Sequence, residues 1–92
     1  MSEIVYTNSY NKKAAAFVKK HSQLLDPYEK TLKLLELNPG HPALKLHKLK
    51  GKHSDLYAVS INLQYRISLF FIIQDDIIIP VNVGTHDQVY KY

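Results

Sequence analysis

Three short groups in this sequence carry side chains that could do chemistry. His47-Lys48-Leu49-Lys50-Gly51 sets a histidine among lysines, and Tyr65-Arg66 puts the sole arginine at the head of an apolar run. Gly84-Thr85-His86-Asp87 is followed closely by Tyr90. A guanidinium is a planar fork that matches a phosphate, and histidine gives or takes a proton near neutral pH. Together these types suit cleavage of RNA at phosphorus. There the 2′-hydroxyl needs a base, the departing 5′-oxygen an acid, and the pentavalent phosphate needs cations. Tyrosine adds a surface on which an unpaired base can stack. Each residue also has a plainer reading: His47 as an exposed strand residue, Arg66 as a structural partner of Glu3 or Asp87. In the same way His86 fits a turn, and Tyr90 an anchor for the chain's last residues.

Other chemistries fit less well. There is no cysteine, so disulfides, thiolate metal sites and cysteine nucleophiles are excluded. His47, His53, Asp55, His86 and Asp87 show no tight metal-ligand spacing, so no metal and no cofactor are expected. Glycines at 40, 51 and 84 build no phosphate-cradling loop, and no Gly-x-Ser-x-Gly elbow occurs. Twelve Lys+Arg against eight Asp+Glu give a net charge of +4. The distribution is more telling than the sum. No acidic residue lies between Glu36 and Asp55, while Lys45, Lys48, Lys50 and Lys52 crowd into that stretch with His41, His47 and His53. The stretch reads either as a rim for nucleic-acid phosphates, Lys45, Lys48, Lys52 and His53 being the candidates, or as a lysine-guarded sheet edge.

The elements that must hold these groups follow from periodicity. The 92 residues suffice for one core, with about 64% of the unfolded surface buried, so a single domain over 1–92 is expected. Ile4 to Tyr6 reads as a strand. From Asn8 to Leu24, Tyr10, Ala14, Phe17, Val18 and His21 recur at helical spacing, with the Lys12, Lys13, Lys19 and Lys20 pairs on the solvent side. Asp26-Pro27-Tyr28-Glu29 reads as a capped helix start, and Asn38-Pro39-Gly40 as its end. The period then changes to alternation: a short strand over Lys45 to Leu49, then strands over 57–63, 66–73 and 77–83, the last two joined through Gln74-Asp75-Asp76. Pro80 requires the last strand to be an edge or to carry a bulge there. The sum is β-α-α-β-β-β-β, an α+β fold with helices on one face of an antiparallel meander. No apolar run approaches the roughly 18 residues of a membrane span, and the N-terminal residues lack the pattern of a secretory signal. A cytoplasmic protein with no membrane partner is expected.

This order of elements, with His47-Lys48-Leu49-Lys50-Gly51, Tyr65-Arg66-Ile67 and Gly84-Thr85-His86-Asp87-Gln88-Val89-Tyr90, resembles the RelE/ParE superfamily of toxin–antitoxin toxins, most of all its RelE/StbE, YafQ and YoeB branches. The resemblance implies the RelE-like microbial RNase fold. It implies a toxin, an mRNA interferase, that enters the ribosomal A site and cuts messenger RNA there, leaving a 2′,3′-cyclic phosphate. The implied partners are the ribosome, the message and a cognate antitoxin that covers or distorts the site. Carried over by position, His47 is the base, His86 the acid, Lys50 and Arg66 the phosphate-stabilising cations, and Tyr90 an aromatic that orients the scissile nucleotide. Ser60 and Gln64 stand where YafQ-like toxins have a second histidine and an aspartate. A ParE-like gyrase poison without nuclease activity and a degenerate antitoxin-binding module are the alternatives on the same fold.

Overall fold

The computed structural model describes residues 2–90, without the side chain of His53. Its elements are β1 (Glu3–Ile4), α1 (Asn8–Lys20), α2 (Leu25–Leu37), β2 (His47–Lys48), β3 (Tyr57–Ser60), β4 (Tyr65–Ile72), β5 (Ile77–Thr85) and α3 (His86–Tyr90). Strands β2 to β5 form the expected antiparallel meander, and β1 adds to β5 in parallel, giving the order β1-β5-β4-β3-β2. The α+β architecture with two helices on one sheet face is therefore as the sequence suggests, extended by a C-terminal helix.

Thr7 opens α1, its hydroxyl accepting from the Tyr10 N–H, and Lys19 and Lys20 occupy the last turn, where the helix dipole favours cations. The helix stops at Lys20 rather than Leu24, because Ser22–Leu24 tightens into a 3₁₀ turn that runs straight into α2. That turn also displaces Asp26 from the capping position expected of it. Leu24 stands there instead with no side-chain cap, and Asp26 falls within the first turn, where its charge still suits the dipole.

Tyr10 and Phe17 of α1 and Tyr28 and Leu35 of α2 pack with Leu44 on Val59, Ile67, Leu69, Ile78 and Val83 of the sheet, forming the main core. The Tyr10 and Tyr28 hydroxyls meet at 2.8 Å inside it. Alternation along β4 sends Tyr65, Ile67, Leu69 and Phe71 to this core and turns Arg66, Ser68 and Phe70 to the opposite face. β1 pairs β5 only at Ile77 and Ile78, so Pro80 lies past that pairing with β4 beside it, and the strand carries a bulge as well. Ser68 pairs with Asn82 and Leu69 with Pro80, leaving Val81 as the extra residue. The bulge puts Val81 on the far face, against a small second cluster of Leu49, Leu56, Ala58 and Tyr90. β3 ends at Ser60, short of the expected Leu63, because the Asn62 side-chain oxygen accepts from the Gln64 and Tyr65 N–H groups and starts the turn early.

Candidate active site

The sheet face away from α1 and α2 carries the three groups of interest. Cross-strand register places His47 opposite Ala58, Ala58 opposite Ser68 and Ser68 opposite Asn82. The adjacent row on that face is Ser60, Arg66 and Gly84. Directly paired residues share a face, so His47 and Arg66 project from neighbouring rows although 19 positions separate them. Lys48 pairs with Tyr57, which packs on the helix side, and so projects opposite to His47.

β2 is two residues long rather than five because its entry is a left-handed turn. His41 Nδ1 accepts from the Ala43 N–H, Pro42–Leu44 forms a 3₁₀ turn, and Lys45 closes it at φ 51°, ψ 43°. This conformation is costly for a residue with a Cβ. It places the Lys45 carbonyl 2.9 Å from His47 Nδ1. Leu49 then anchors the exit of the strand, buried in the second cluster with its N–H bonded to the Leu56 carbonyl.

The third group ends β5 and opens α3, a helix that the β-α-α-β-β-β-β order did not include. Thr85 and Gln88 form a capping box: the Thr85 hydroxyl accepts from the Gln88 N–H, and Gln88 Oε1 accepts from the Thr85 N–H. Gly84 makes room for it, since a Cβ there would stand 2.5 Å from Gln88 Oε1 and 3.1 Å from its Cβ. Asn82 Nδ2 donates to the Gln88 carbonyl at 3.3 Å, and Val89 is fully buried beneath the helix. His86 and Tyr90, four residues apart, then fall on one side of α3. Their rings stack with centroids 4.0 Å apart and planes 22° apart. The Tyr90 hydroxyl reaches across to His47 Nε2 at 2.7 Å. His47, Tyr90 and His86 thus stand in a row with the tyrosine between the histidines. His86 Nδ1 lies 3.4 Å from Asp87 Oδ1, a loose contact between exposed groups.

Arg66 is half-buried at the mouth of this face. It pairs with neither Glu3 nor Asp87, which corrects the structural alternative. Its Nη1 donates instead to the Asn62 carbonyl at 2.6 Å and the Tyr65 carbonyl at 3.1 Å. Neutral carbonyls orient the guanidinium and leave its charge uncancelled. Lys45, Lys48, Lys50 and Lys52 are exposed, and among the described residues no carboxylate pairs with them. They line the turn before β2, the strand itself and the 3₁₀ turn Gly51–His53 that follows. The structure therefore brings His47 and His86 each into contact with Tyr90, stands Arg66 in the row next to that of His47, and sets the lysines along the β2 edge. The groups that sequence reasoning missed are positioning ones: Asn62 and the Lys45 carbonyl, which left no local signal, and Gln88, which the Thr85-x-x-Gln88 spacing marks. Among the described residues no three histidine or carboxylate side chains converge as metal ligands would, and no helix is long and apolar enough to cross a membrane.

No protein-family model matches the chain, and no curated protein is similar to it in sequence. Its fold, by contrast, is shared with several solved structures. YafQ from E. coli aligns over 98% of this chain and 99% of its own, with a TM-score of 0.77 at 15% identity. A chain of the E. coli DinJ–YafQ toxin–antitoxin complex aligns over 97% of both chains, with a TM-score of 0.75 at 18% identity. A YoeB/ParE toxin from Agrobacterium tumefaciens aligns over 91% of this chain and 98% of its own, with a TM-score of 0.72 at 13% identity. The chain has the RelE-like fold of these toxins over nearly all of its length.

Proposed function

We propose that this chain belongs to the RelE/ParE superfamily as the toxin of a toxin–antitoxin pair and that it cuts messenger RNA in the ribosomal A site without a metal ion. The observation that carries the reading is the row His47, Tyr90, His86 on the open sheet face, beside an arginine that no carboxylate among the described residues pairs with. In the reaction the 2′-oxygen of the scissile nucleotide gives up its proton toward His47 and attacks the adjacent phosphorus. The bond to the 5′-oxygen breaks, His86 protonates that oxygen, and a 2′,3′-cyclic phosphate and a 5′-hydroxyl remain. Arg66 and Lys50 balance the charge that builds on the phosphate. Lys45, Lys48, Lys52 and His53 hold phosphates of the message or of ribosomal RNA. Such a toxin acts in the cytoplasm. The antitoxin partner is inferred from a protein of the same fold solved in a toxin–antitoxin complex.

Primer extension on a defined message with translating ribosomes, comparing wild type with His86→Ala, tests this. New in-frame stops with wild type and none with the variant are expected. The variant should melt as wild type does, because His86 is exposed on α3. A growth-inhibiting wild type that produces no stops would place the chain with gyrase-binding toxins. Absence of both stops and inhibition would leave an antitoxin-binding module.

A further inference from the structure

Resting on the RNA-cleaving reading, we infer that the Tyr90 hydroxyl is the proton link between His47 and the ribose 2′-hydroxyl, in addition to any stacking its ring provides. A carbonyl oxygen can only accept, so the contact from Lys45 fixes the proton of neutral His47 on Nδ1. Nε2 is then the lone-pair nitrogen, and the 2.7 Å contact runs from the Tyr90 O–H to it. Both ends of this arrangement are held. The Lys45 carbonyl is aimed by a left-handed residue whose own N–H is tied to the Pro42 carbonyl at 3.2 Å. The Tyr90 ring is held by its stack on His86 and by packing on the Leu49, Leu56 and Ala58 cluster.

The basic nitrogen of His47 is thus already capped by a phenol. For His47 to touch the 2′-hydroxyl directly, Tyr90 would have to leave its stack and its cluster, or His47 its bond to the Lys45 carbonyl. A relay asks for no displacement, because the phenol oxygen keeps lone pairs that accept while its O–H donates. In the step, the 2′-hydroxyl proton passes to the Tyr90 oxygen as the Tyr90 proton passes to His47 Nε2. The 2′-oxygen bonds to phosphorus, the bond from phosphorus to the 5′-oxygen breaks, and that oxygen takes a proton from protonated His86. His47 ends protonated, His86 neutral and Tyr90 unchanged.

Tyr90→Phe keeps the ring and removes the hydroxyl. Single-turnover cleavage of a defined message on programmed ribosomes is measured for wild type, Tyr90→Phe, His47→Ala and the double variant. Tyr90→Phe is expected to lose about a hundredfold or more, His47→Ala to lose as much, and the double variant no more than either, with ribosome binding unchanged. ¹⁵N spectra of wild-type His47 are expected to show the proton on Nδ1. Cleavage by Tyr90→Phe within about threefold of wild type would overturn the relay while the RNA-cleaving reading stands. Losses that add in the double variant would overturn it as well, and so would a wild-type proton on Nε2, with or without any RNA. A wild type that cuts no message would overturn the relay and the function beneath it together.

Discussion

Tyr10 and Tyr28 meet hydroxyl to hydroxyl beneath the helices, and that pairing makes the fold sensitive to alkali. Burial, with Tyr28 beside it, drives the Tyr10 hydroxyl far above the ordinary tyrosine range, and burial raises Tyr28 despite its bond to Tyr10. In the unfolded chain both titrate near pH 10 or so. Above that pH the unfolded state has released protons the folded state still holds, so stability falls as pH rises; below it the slope from this pair vanishes. Urea melts between pH 8 and 11 are expected to show this loss, and Tyr10→Phe should flatten it. The pairing itself was not readable in the sequence, which marks both residues only as apolar positions on two helices. The candidate site divides the same way. His47, Arg66, His86 and Tyr90 could be chosen by type and local company. The His47–Tyr90 bond joins residues 43 positions apart, and only register across the sheet reveals it. Arg66 was legible as a cation, but its hold on two backbone carbonyls depends on a turn that Asn62 closes.

Among the elements, α3 matters most to the site, since it delivers both His86 and Tyr90. At five residues it is too short to be stable alone, and it rests on the capping box, on the Asn82 bond and on buried Val89. Gly84→Ala would push Gln88 out of the box. The expected cost is about 0.5–2 kcal/mol, the range for removal of a cap, read from thermal melts. Hydrogen exchange should quicken at residues 86–90, and RNA cleavage should fall more than the small loss of stability explains. Periodicity made α1, α2, β4 and β5 legible to within a few residues, because each has an apolar face long enough to show a repeat. α3 has less than two turns and shows none, although Thr85-x-x-Gln88 announced its start. The shortening of β2 to His47–Lys48 had no comparable signal, since nothing in the residue type of Lys45 foretells a positive φ.

For the molecule as a whole, charge is unevenly spread. Lys45 to Lys52 edge the sheet at β2, and alternation sends His47 and Lys48 to opposite faces, so the basic rim wraps that edge. Lys48→Glu with Lys52→Glu is expected to weaken ribosome binding at low salt. It should also flatten the salt dependence by about 0.7–0.9 in log–log slope for each phosphate the variant leaves unneutralised, measured by filter binding across a salt series. Equal binding at low salt would assign these lysines to guarding the sheet edge. At the other edge lies β1, two residues long, with Glu3 N–H bonded to the Asp76 carbonyl and the Ser2 hydroxyl to Asp76 Oδ1, 74 positions away. No shorter loop can bring these groups together, and β5 cannot offer its edge until its hairpin with β4 has formed. The entropy of closing so long a loop is spent before any of these bonds returns it. The parallel strand therefore docks late in folding: the Ser2 N–H can already bond the Glu36 carbonyl at the end of α2, but Glu3 and Ile4 have no strand to pair with until the segment from Ile77 has been made and folded back on β4.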